Sequence, residues 1–492
     1  MRRAIAGLGL ALSLVSLVLL TAPARLHHVV TTEVDGVSLR YVVPRDTENA
    51  PVVLVAHGYA GTANMMRGYA NSLASAGYAV ATWDFAGHGA SRETLGAREN
   101  QLGQDIATVV QFVRGRAEVD QSRMAILGHS MGSGAAMRAG IEMHETFAAV
   151  IALSPTDAPV SPELPRNLQL QAGAFEPRFE QNARELLEEA GGAREGANAR
   201  ELVIIPGVEH ISIVYSHASH TQAVAWLNTV FGRDAQPVQR DRRAFWYGLH
   251  LIGWVVIAIA TRPWVRRAIS PEAARGGGDL PAVRNARWPL RLVAAGAVAA
   301  GVIIGVDWLM NALLATRLAG IDRLSIVPAV SAWFLTFGIV WLALGFRPAA
   351  PKLRSLLLGL AFFGVLWLVV GLPGSIVAWR WALVPARAAR WVPTAIASLP
   401  WLLAAGYGLG AADGWSRVGW FATLALTVVG ALALVGFLTP GLFFLVLIVP
   451  IIPVVLGAMT LLGAGLRDPW AFGVGGALFL GWLLVAVFPL AA

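Results

Sequence analysis

Gly128-His129-Ser130-Met131-Gly132 is the stretch of sequence that decides the fold. It follows the apolar run Met124 to Leu127 and precedes small residues that are typical of a helix start. Gly-x-Ser-x-Gly between a strand and a helix forms a sharp turn that exposes the serine as a nucleophile. A side chain at Gly128 or Gly132 would clash within this turn. With a base and an oxyanion site in reach, Ser130 can attack an acyl carbon.

The composition predicts a membrane protein. Of 492 residues, 56% are hydrophobic and 14% are charged, against about 45–50% and 25% in soluble domains. The excess lies in residues 244–492, whereas residues 25–243 have an ordinary composition. The chain has no cysteine, which excludes disulfides and cysteine metal sites. The net charge of +8 comes almost wholly from arginine, and many of the arginines flank apolar segments, so we expect topology signals and no nucleic-acid partner.

Four segments follow one another along the chain. Residues 1–24 combine two arginines with an apolar run, which is typical of a signal sequence or an N-terminal membrane anchor. Residues 25–231 alternate short apolar runs with helical patterns, which favours a mostly parallel sheet with helices on both faces. A polar linker over 232–243 leads into residues 244–492, for which we predict an all-α transmembrane domain of about eight helices.

The candidate membrane spans are each close to the ~20 residues that cross a bilayer. They cover 244–261, 292–315, 324–346, 355–377, 391–411, 418–438, 441–463 and 470–490. Within the second span, Asp307 and Asn311 share one helix face, and we expect Asp307 to pair with an arginine such as Arg317.

The distribution of arginines predicts the orientation of the chain. The connection 262–291 carries seven arginines, which puts it in the cytoplasm. The domain before the preceding span would then lie outside the cytoplasm. Arg380, Arg387 and Arg390 disagree with this topology, because the span count makes their loop external. Either a span is miscounted there or the loop lies flat at the membrane interface.

A glycine turn after an earlier strand predicts an oxyanion site. His57 and Gly58 directly follow the apolar run Val52–Ala56. A turn of this kind contributes one backbone N–H to the oxyanion, and the residue after the nucleophile contributes the second. The predicted donors are Tyr59 and Met131. The alternative is a plain glycine turn without a catalytic role.

The general base is predicted at His210. It follows the last strand of the pattern, in Pro206-Gly207-Val208-Glu209-His210, and a neutral imidazole suits proton transfer near pH 7. His217 and His220 fall in or beside the final helix, and we assign them surface or packing roles. His88, in Asp84-Phe85-Ala86-Gly87-His88-Gly89, precedes the serine and is interpreted as structural.

The acid that orients the base is predicted at Glu176. It follows the strand Leu168–Gln171 and completes the order Ser, Glu, His along the chain. A carboxylate here would hold His210 and stabilise the imidazolium that forms in catalysis. Asp157, after the preceding strand, is the alternative acid.

These motifs together make residues 29–231 resemble an α/β-hydrolase, most similar to the serine aminopeptidase and monoacylglycerol-lipase-like group. The resemblance implies that fold, hydrolysis of esters or amides, no metal or other cofactor, and a triad of Ser130, Glu176 and His210. Two departures stand out. The usual acid is more often aspartate, and only about a dozen residues separate the strands that end near Leu153 and begin near Leu168, too few for the helical lid of many members.

The sequence therefore predicts a membrane-anchored serine hydrolase with an exported catalytic domain. Without a lid the site has little substrate pocket of its own. We expect the membrane to supply an apolar wall, and hence a lipid-like or amphipathic acyl substrate. Two other functions stay open: a transport or scaffold protein with an accessory hydrolase-like domain, and an acyltransferase that uses the same triad. The sequence does not indicate the oligomeric state.

Overall fold

The computed structural model describes most of the chain. The described residues are 1–22, 27–45, 47–96, 100–234, 237–269, 287–314, 326–344, 348–412, 415–439, 445 and 451–490. They divide into two compact units. The first, the helical unit, comprises residues 1–14, 249–372 and 386–485. The second, the sheet unit, comprises residues 15–248, 373–385 and 486–492.

The sheet unit is built on one eight-stranded sheet. In chain order its strands are β1 His27–Val34, β2 Val37–Pro44, β3 Ala50–Ala56, β4 Ala79–Trp83, β5 Val119–His129, β6 Ala149–Leu153, β7 Leu168–Gly173 and β8 Arg200–Ile205. Their order across the sheet is β1-β2-β4-β3-β5-β6-β7-β8. β1 and β2 form an antiparallel hairpin around Asp35 and Gly36, both at positive φ, and β2 also pairs antiparallel with β4. The other pairings are parallel.

Helices cover both faces of the sheet. They are α2 Arg67–Ser75, α3 Gln101–Arg114, α4 Met131–Glu142, α5 Pro177–Glu189 and α6 His217–Phe231, with a 3₁₀ turn at Ser212–Tyr215. Alternate residues of the central strands enter one or the other of two apolar cores, as a sheet buried on both faces requires. This is the α/β-hydrolase fold that the sequence predicts. The connection 154–167 between β6 and β7 contains no helix, so no lid is inserted there.

The remaining helices are apolar, and most of them are long. They are α1 Arg2–Thr21, α7 Arg243–Ile269, α8 Arg287–Leu314, α9 Ile326–Ala343, α10 Leu353–Leu366, α11 Leu372–Val377, α12 Pro385–Ala411, α13 Trp415–Leu438, α14 Ile451–Leu462 and α15 Pro469–Val487, with a π-helical turn between α10 and α11. Eight helices within the described residues are long and apolar enough to cross a membrane, α1 among them and α10–α11 counted as one.

Seven of the eight spans expected beyond residue 243 overlap such helices. The expected span 441–463 falls largely outside the described residues, of which α14 is the described part. Both ends of the expected connection 262–291 are helical: α7 continues to Ile269 and contains Arg262, Arg266 and Arg267, and α8 begins at Arg287. Arg317, the expected partner of Asp307, lies outside the described residues.

Candidate active site

Ser130 lies on the turn between β5 and α4, at the carboxyl edge of the sheet. Its φ of 53° and ψ of −123° are unusual for a residue with a side chain, and such a conformation costs roughly 1–3 kcal/mol. Hydrogen bonds hold the turn in place. The Ser130 N–H donates to the Leu153 carbonyl (2.9 Å), and the Ser130 carbonyl accepts from Ser133 Oγ (2.5 Å) and Thr156 Oγ1 (3.2 Å).

The two glycines that flank Ser130 have no room for a side chain. A Cβ at Gly128 would lie 2.7 Å from Ser133 N and still closer to the Gly132 carbonyl. A Cβ at Gly132 would lie 2.9 Å from the Ala56 carbonyl and closer to that of His57. The clash expected from the sequence is therefore present, and it involves backbone atoms that cannot move away without distorting β3 or α4.

His210 lies beside the serine, although 80 residues separate the two along the chain. Its Nε2 is 3.0 Å from Ser130 Oγ, and its Nδ1 is 2.9 Å from Glu176 Oε2. Because an ionised carboxylate only accepts hydrogen bonds, Nδ1 carries the proton and Nε2 accepts from the serine hydroxyl. This is the arrangement in which an imidazole can remove the hydroxyl proton.

Glu176 is buried and its second oxygen is also occupied. Oε1 accepts hydrogen bonds from Ser154 Oγ (2.7 Å) and from the Gly173 N–H (2.5 Å). The carboxylate therefore has one oxygen committed to donors and the other facing His210. The side chain of Asp157, the alternative acid, is exposed. The geometry thus brings Glu176, rather than Asp157, to the histidine.

The other histidines considered in the sequence lie elsewhere. His88 is fully buried, with Nδ1 3.0 Å from the Ala86 carbonyl and its ring packed against His57. His220 is also buried, where Nε2 donates to the Val214 carbonyl (2.9 Å) and Nδ1 is 2.8 Å from Ser72 Oγ. His217 is the first residue of α6 and is partly buried.

The turn after His57 lies against Ser130. A Cβ at Gly58 would lie 3.0 Å from Ser130 Cβ and 2.9 Å from His129 Nδ1, so only glycine fits. The turn closes with the Gly61 N–H on the Gly58 carbonyl (2.9 Å). Tyr59, the predicted oxyanion donor, lies inside it. Met131, the second donor, is the first residue of α4, where backbone N–H groups lack partners within the helix.

His57 joins this turn to the next loop. Its Nδ1–H donates to the Gly58 carbonyl (2.8 Å), and its Nε2 accepts from the Phe85 N–H (3.0 Å). Because Nε2 accepts a hydrogen bond, the ring is neutral. Burial lowers the pKa of His57, which keeps it neutral.

Two residues of the site are not evident from the sequence. His129 Nε2–H donates to the His210 carbonyl (2.7 Å) and so fixes the loop that carries His210. Burial, together with the neighbouring His210, lowers the pKa of His129 to about 3. Phe179, on the first turn of α5, stacks on the His210 ring at 4.1 Å between centroids and 24° between planes. The only local indication of Phe179 is its place one turn after Glu176.

The buried histidines predict acid sensitivity. His57, His129 and His220 have lowered pKa values, the last two at about 3 and about 4, because burial disfavours the charged rings. Between those values and about 6.5, the unfolded chain binds protons that the folded chain does not. Stability therefore falls as the pH falls from 7 to 5, and each histidine adds a slope of up to about 1.4 kcal/mol per pH unit.

Thermal unfolding of the full chain in detergent at a series of pH values measures this effect. His220→Gln should flatten the pH dependence, and His144→Gln, at an exposed position, should leave it unchanged. A melting temperature that stays constant from pH 7 to 5 would contradict the assignment of neutral buried rings.

Residues 47–188 match the model of a family described as serine aminopeptidase, S33. The matched region contains the turn at His57-Gly58, the Ser130 turn and Glu176, all within the sheet whose order is given above. The N-terminal domain has the α/β-hydrolase fold. His210 lies beyond the matched residues. Its place beside Ser130 and Glu176 is shown by the two distances given above.

Relatives among curated proteins match part of the chain. The chain is 32% identical over 150 residues to epoxide hydrolase A of Mycobacterium tuberculosis, covering 30% of this chain and 44% of that protein. It is 31% identical over 135 residues to an uncharacterised protein of the same species, covering 27% and 46%. An uncharacterised 31.7 kDa protein of Escherichia coli is 28% identical over 102 residues, covering 20% and 36%. The chain thus spans between a third and a half of the length of these relatives.

Solved structures also resemble the hydrolase domain. The match to a bacterial heroin esterase covers 43% of this chain and 86% of the esterase chain, at 18% identity and a TM-score of 0.35. The match to the carboxylesterase EstE1, which was cloned from a metagenomic library, covers 46% of this chain and 97% of the EstE1 chain, at 15% identity and a TM-score of 0.35.

Proposed function

We propose that the chain is a membrane-anchored serine hydrolase that cleaves ester or amide bonds through an acyl-enzyme on Ser130. The observation that carries the proposal is the continuous hydrogen-bonded series from Ser130 Oγ through His210 to Glu176. The strained turn that presents the serine supports it further, because such strain persists only where the surrounding structure maintains it.

In the first half of the reaction, Ser130 Oγ attacks the acyl carbon and His210 Nε2 takes the hydroxyl proton. Glu176 stabilises the imidazolium that results. The negative charge on the former carbonyl oxygen is stabilised by the N–H groups of Tyr59 and Met131, the latter at the positive end of α4. His210 then protonates the leaving alcohol or amine as the bond to it breaks. In the second half, a water molecule attacks the acyl carbon while His210 takes its proton. His210 then returns the proton to Ser130 Oγ as the acyl group leaves as the free acid.

We propose a lipid-like or amphipathic acyl substrate. The connection between β6 and β7 has no lid, and apolar side chains beside the acid and base are accessible. Phe175 is 70% exposed, next to Glu176, and Phe179 is half-buried on the His210 ring. An acyl chain that covers these rings would gain about 25 cal/mol per Å² of apolar surface removed from water.

We further propose that the hydrolase domain lies outside the cytoplasm. The arginines over residues 262–291 support a cytoplasmic location for that connection, which puts the domain before α7 on the opposite side. The eight long apolar helices found among the described residues support membrane anchoring.

Chain-length preference tests the substrate class. For the full chain in detergent, we expect kcat/KM for a decanoyl ester to exceed that for the acetyl ester by about tenfold or more, since each buried methylene contributes up to about 0.8 kcal/mol. Phe175→Ser should reduce that ratio. Phe245→Ser, at an aromatic residue that is also exposed but lies at the start of α7, should not.

Equal turnover of acetyl and decanoyl esters would count against a lipid-like substrate. Adding an alcohol or amine acceptor to the same reaction separates hydrolysis from acyl transfer. We expect free acid as the main product, and a new ester or amide in excess would identify an acyltransferase.

A further inference from the structure

Two distant segments of the chain belong to the sheet unit and pack on its active-site loops. We call residues 373–385 and 486–490 the clamp segments. Thr62 Oγ1 donates to the Ala378 carbonyl (2.5 Å), and Asn64 Nδ2 donates to the Trp379 carbonyl (3.0 Å). Nearby, Tyr215 OH donates to the Val377 carbonyl (3.2 Å). The first clamp segment, residues 373–385, thus contacts the loop after β3 and the 3₁₀ turn after His210.

The second clamp segment holds the loop after β4. The Leu490 N–H donates to the Gly87 carbonyl (2.8 Å), and the Leu490 carbonyl accepts from the Leu95 N–H (2.6 Å). Gly87 has a φ of 76°, and a Cβ there would lie 2.7 Å from the Leu490 carbonyl. Glycine at position 87 therefore permits the close approach of this segment as well as the turn itself.

Asp84 connects the loops after β3 and β4 to the first clamp segment. This buried carboxylate accepts the Ala63 N–H at Oδ1 (2.8 Å) and the Ala90 N–H at Oδ2 (2.9 Å). Arg380 of the first clamp segment lies with Nη1 3.6 Å from Oδ2. Burial of Asp84 reduces the screening of this ion pair by solvent, although Arg380 is 37% exposed.

From Ala63 the contacts continue to the nucleophile. Ala63 follows the turn Gly58–Gly61, whose first residue lies against Ser130 Cβ. That turn contains Tyr59. We propose that Arg380 is a positioning residue that, through Asp84, fixes the turn and hence the Tyr59 N–H relative to Ser130. This inference rests on the function proposed above.

Kinetics of Arg380 variants test the proposal. With a short ester, which needs no extended acyl site, we expect Arg380→Ala to lower kcat about fivefold and Arg380→Glu about 10- to 100-fold, both with little change in KM. Arg380→Lys should retain most of the activity. Rates are expressed per active site, titrated by a fluorophosphonate, so that unfolded protein does not contribute.

A trifluoromethyl ketone supplies the readout that a purely structural role would not affect. Its hemiketal adduct with the serine places an oxyanion in the oxyanion site, so its inhibition constant should rise in proportion to the loss of kcat/KM. In an Asp84→Asn background, Arg380→Ala should have no further effect. Arg184→Ala, which removes an exposed ion pair with Glu180 on α5, should match the wild-type protein throughout.

The outcomes separate this inference from the proposed function. If Ser130→Ala is inactive while Arg380→Ala and Arg380→Glu keep wild-type kcat, the positioning role is wrong and the hydrolase proposal stands. If the Arg380 variants lose activity without a change in the inhibition constant of the ketone, the positioning role is also wrong. If Ser130→Ala retains wild-type activity, the proposed function itself fails.

Discussion

Ser130→Ala should lower kcat for ester hydrolysis by about 10⁴-fold or more, because the acyl-enzyme cannot form without the hydroxyl group. The proposed oxyanion donors and His210 stay in place, so a small residual rate is expected. Position 130 already holds a non-glycine residue at a φ of 53°, and alanine should therefore leave the fold intact. Steady-state rates with a short ester, with melting temperature as a check on folding, measure the effect.

Ser122→Ala is the matched control. Ser122 also lies on β5, but it is exposed and hydrogen-bonds to Asp120 rather than to His210. Its activity should equal that of the wild-type protein. A Ser130→Ala protein that kept more than about one-hundredth of the wild-type rate would be inconsistent with covalent catalysis by this residue.

Glu176→Gln should be nearly as damaging, with an expected loss of about 10³- to 10⁴-fold in kcat. The reason lies in the donors around Oε1. Ser154 Oγ and the Gly173 N–H both donate to this atom, so the oxygen of a glutamine amide must occupy the same position. The amide NH₂ group then faces His210 Nδ1, which has to accept instead of donate.

That reversal moves the ring proton of His210 to Nε2. A protonated Nε2 cannot take the proton of Ser130, and the base is lost although every side chain keeps its place. The rate of ester hydrolysis by Glu176→Gln, compared with that of the wild-type protein above neutral pH, measures the effect. Asp157→Asn is the control at the alternative acid and should stay within twofold of the wild-type rate, given its exposure. Similar losses in both variants would contradict the assignment of Glu176.

Much of the hydrolase domain could be predicted because its motifs are local. The Ser130 turn needs glycines at 128 and 132 for steric reasons that operate within five residues, and the strands are short apolar runs between turns. The order of serine, acid and base follows from the order of the parallel strands, whose carboxyl ends share one edge of the sheet. Glu176 and His210 could therefore be proposed from their places after β7 and β8.

Contacts between remote segments could not be predicted in this way. The packing of Phe179 on His210 depends on the direction in which α5 leaves the sheet, and the bond from His129 to the His210 carbonyl depends on a loop 81 residues away. Arg380 reaches Asp84 across almost 300 residues of sequence. No periodicity or spacing in the chain indicates these pairs.

The arginines that disagreed with the predicted topology have partners within the protein. Arg380 faces Asp84, and the buried Arg387 donates from Nη1 to the Val485 carbonyl (2.5 Å) within the helical unit. An arginine whose charge is used in a protein contact carries less information about the side of the membrane than one in an open loop. The composition of a loop alone does not distinguish the two cases.

The most direct test of the hydrolase proposal is the site of covalent labelling by a fluorophosphonate. Such a reagent phosphonylates a serine that is activated by a base and an oxyanion site. Mass spectrometry of the labelled full chain should show a single adduct, which peptide mapping assigns to Ser130 and which is absent from Ser130→Ala and strongly reduced in Glu176→Gln. Folded wild-type protein that hydrolyses esters but carries no adduct on Ser130 would contradict the account.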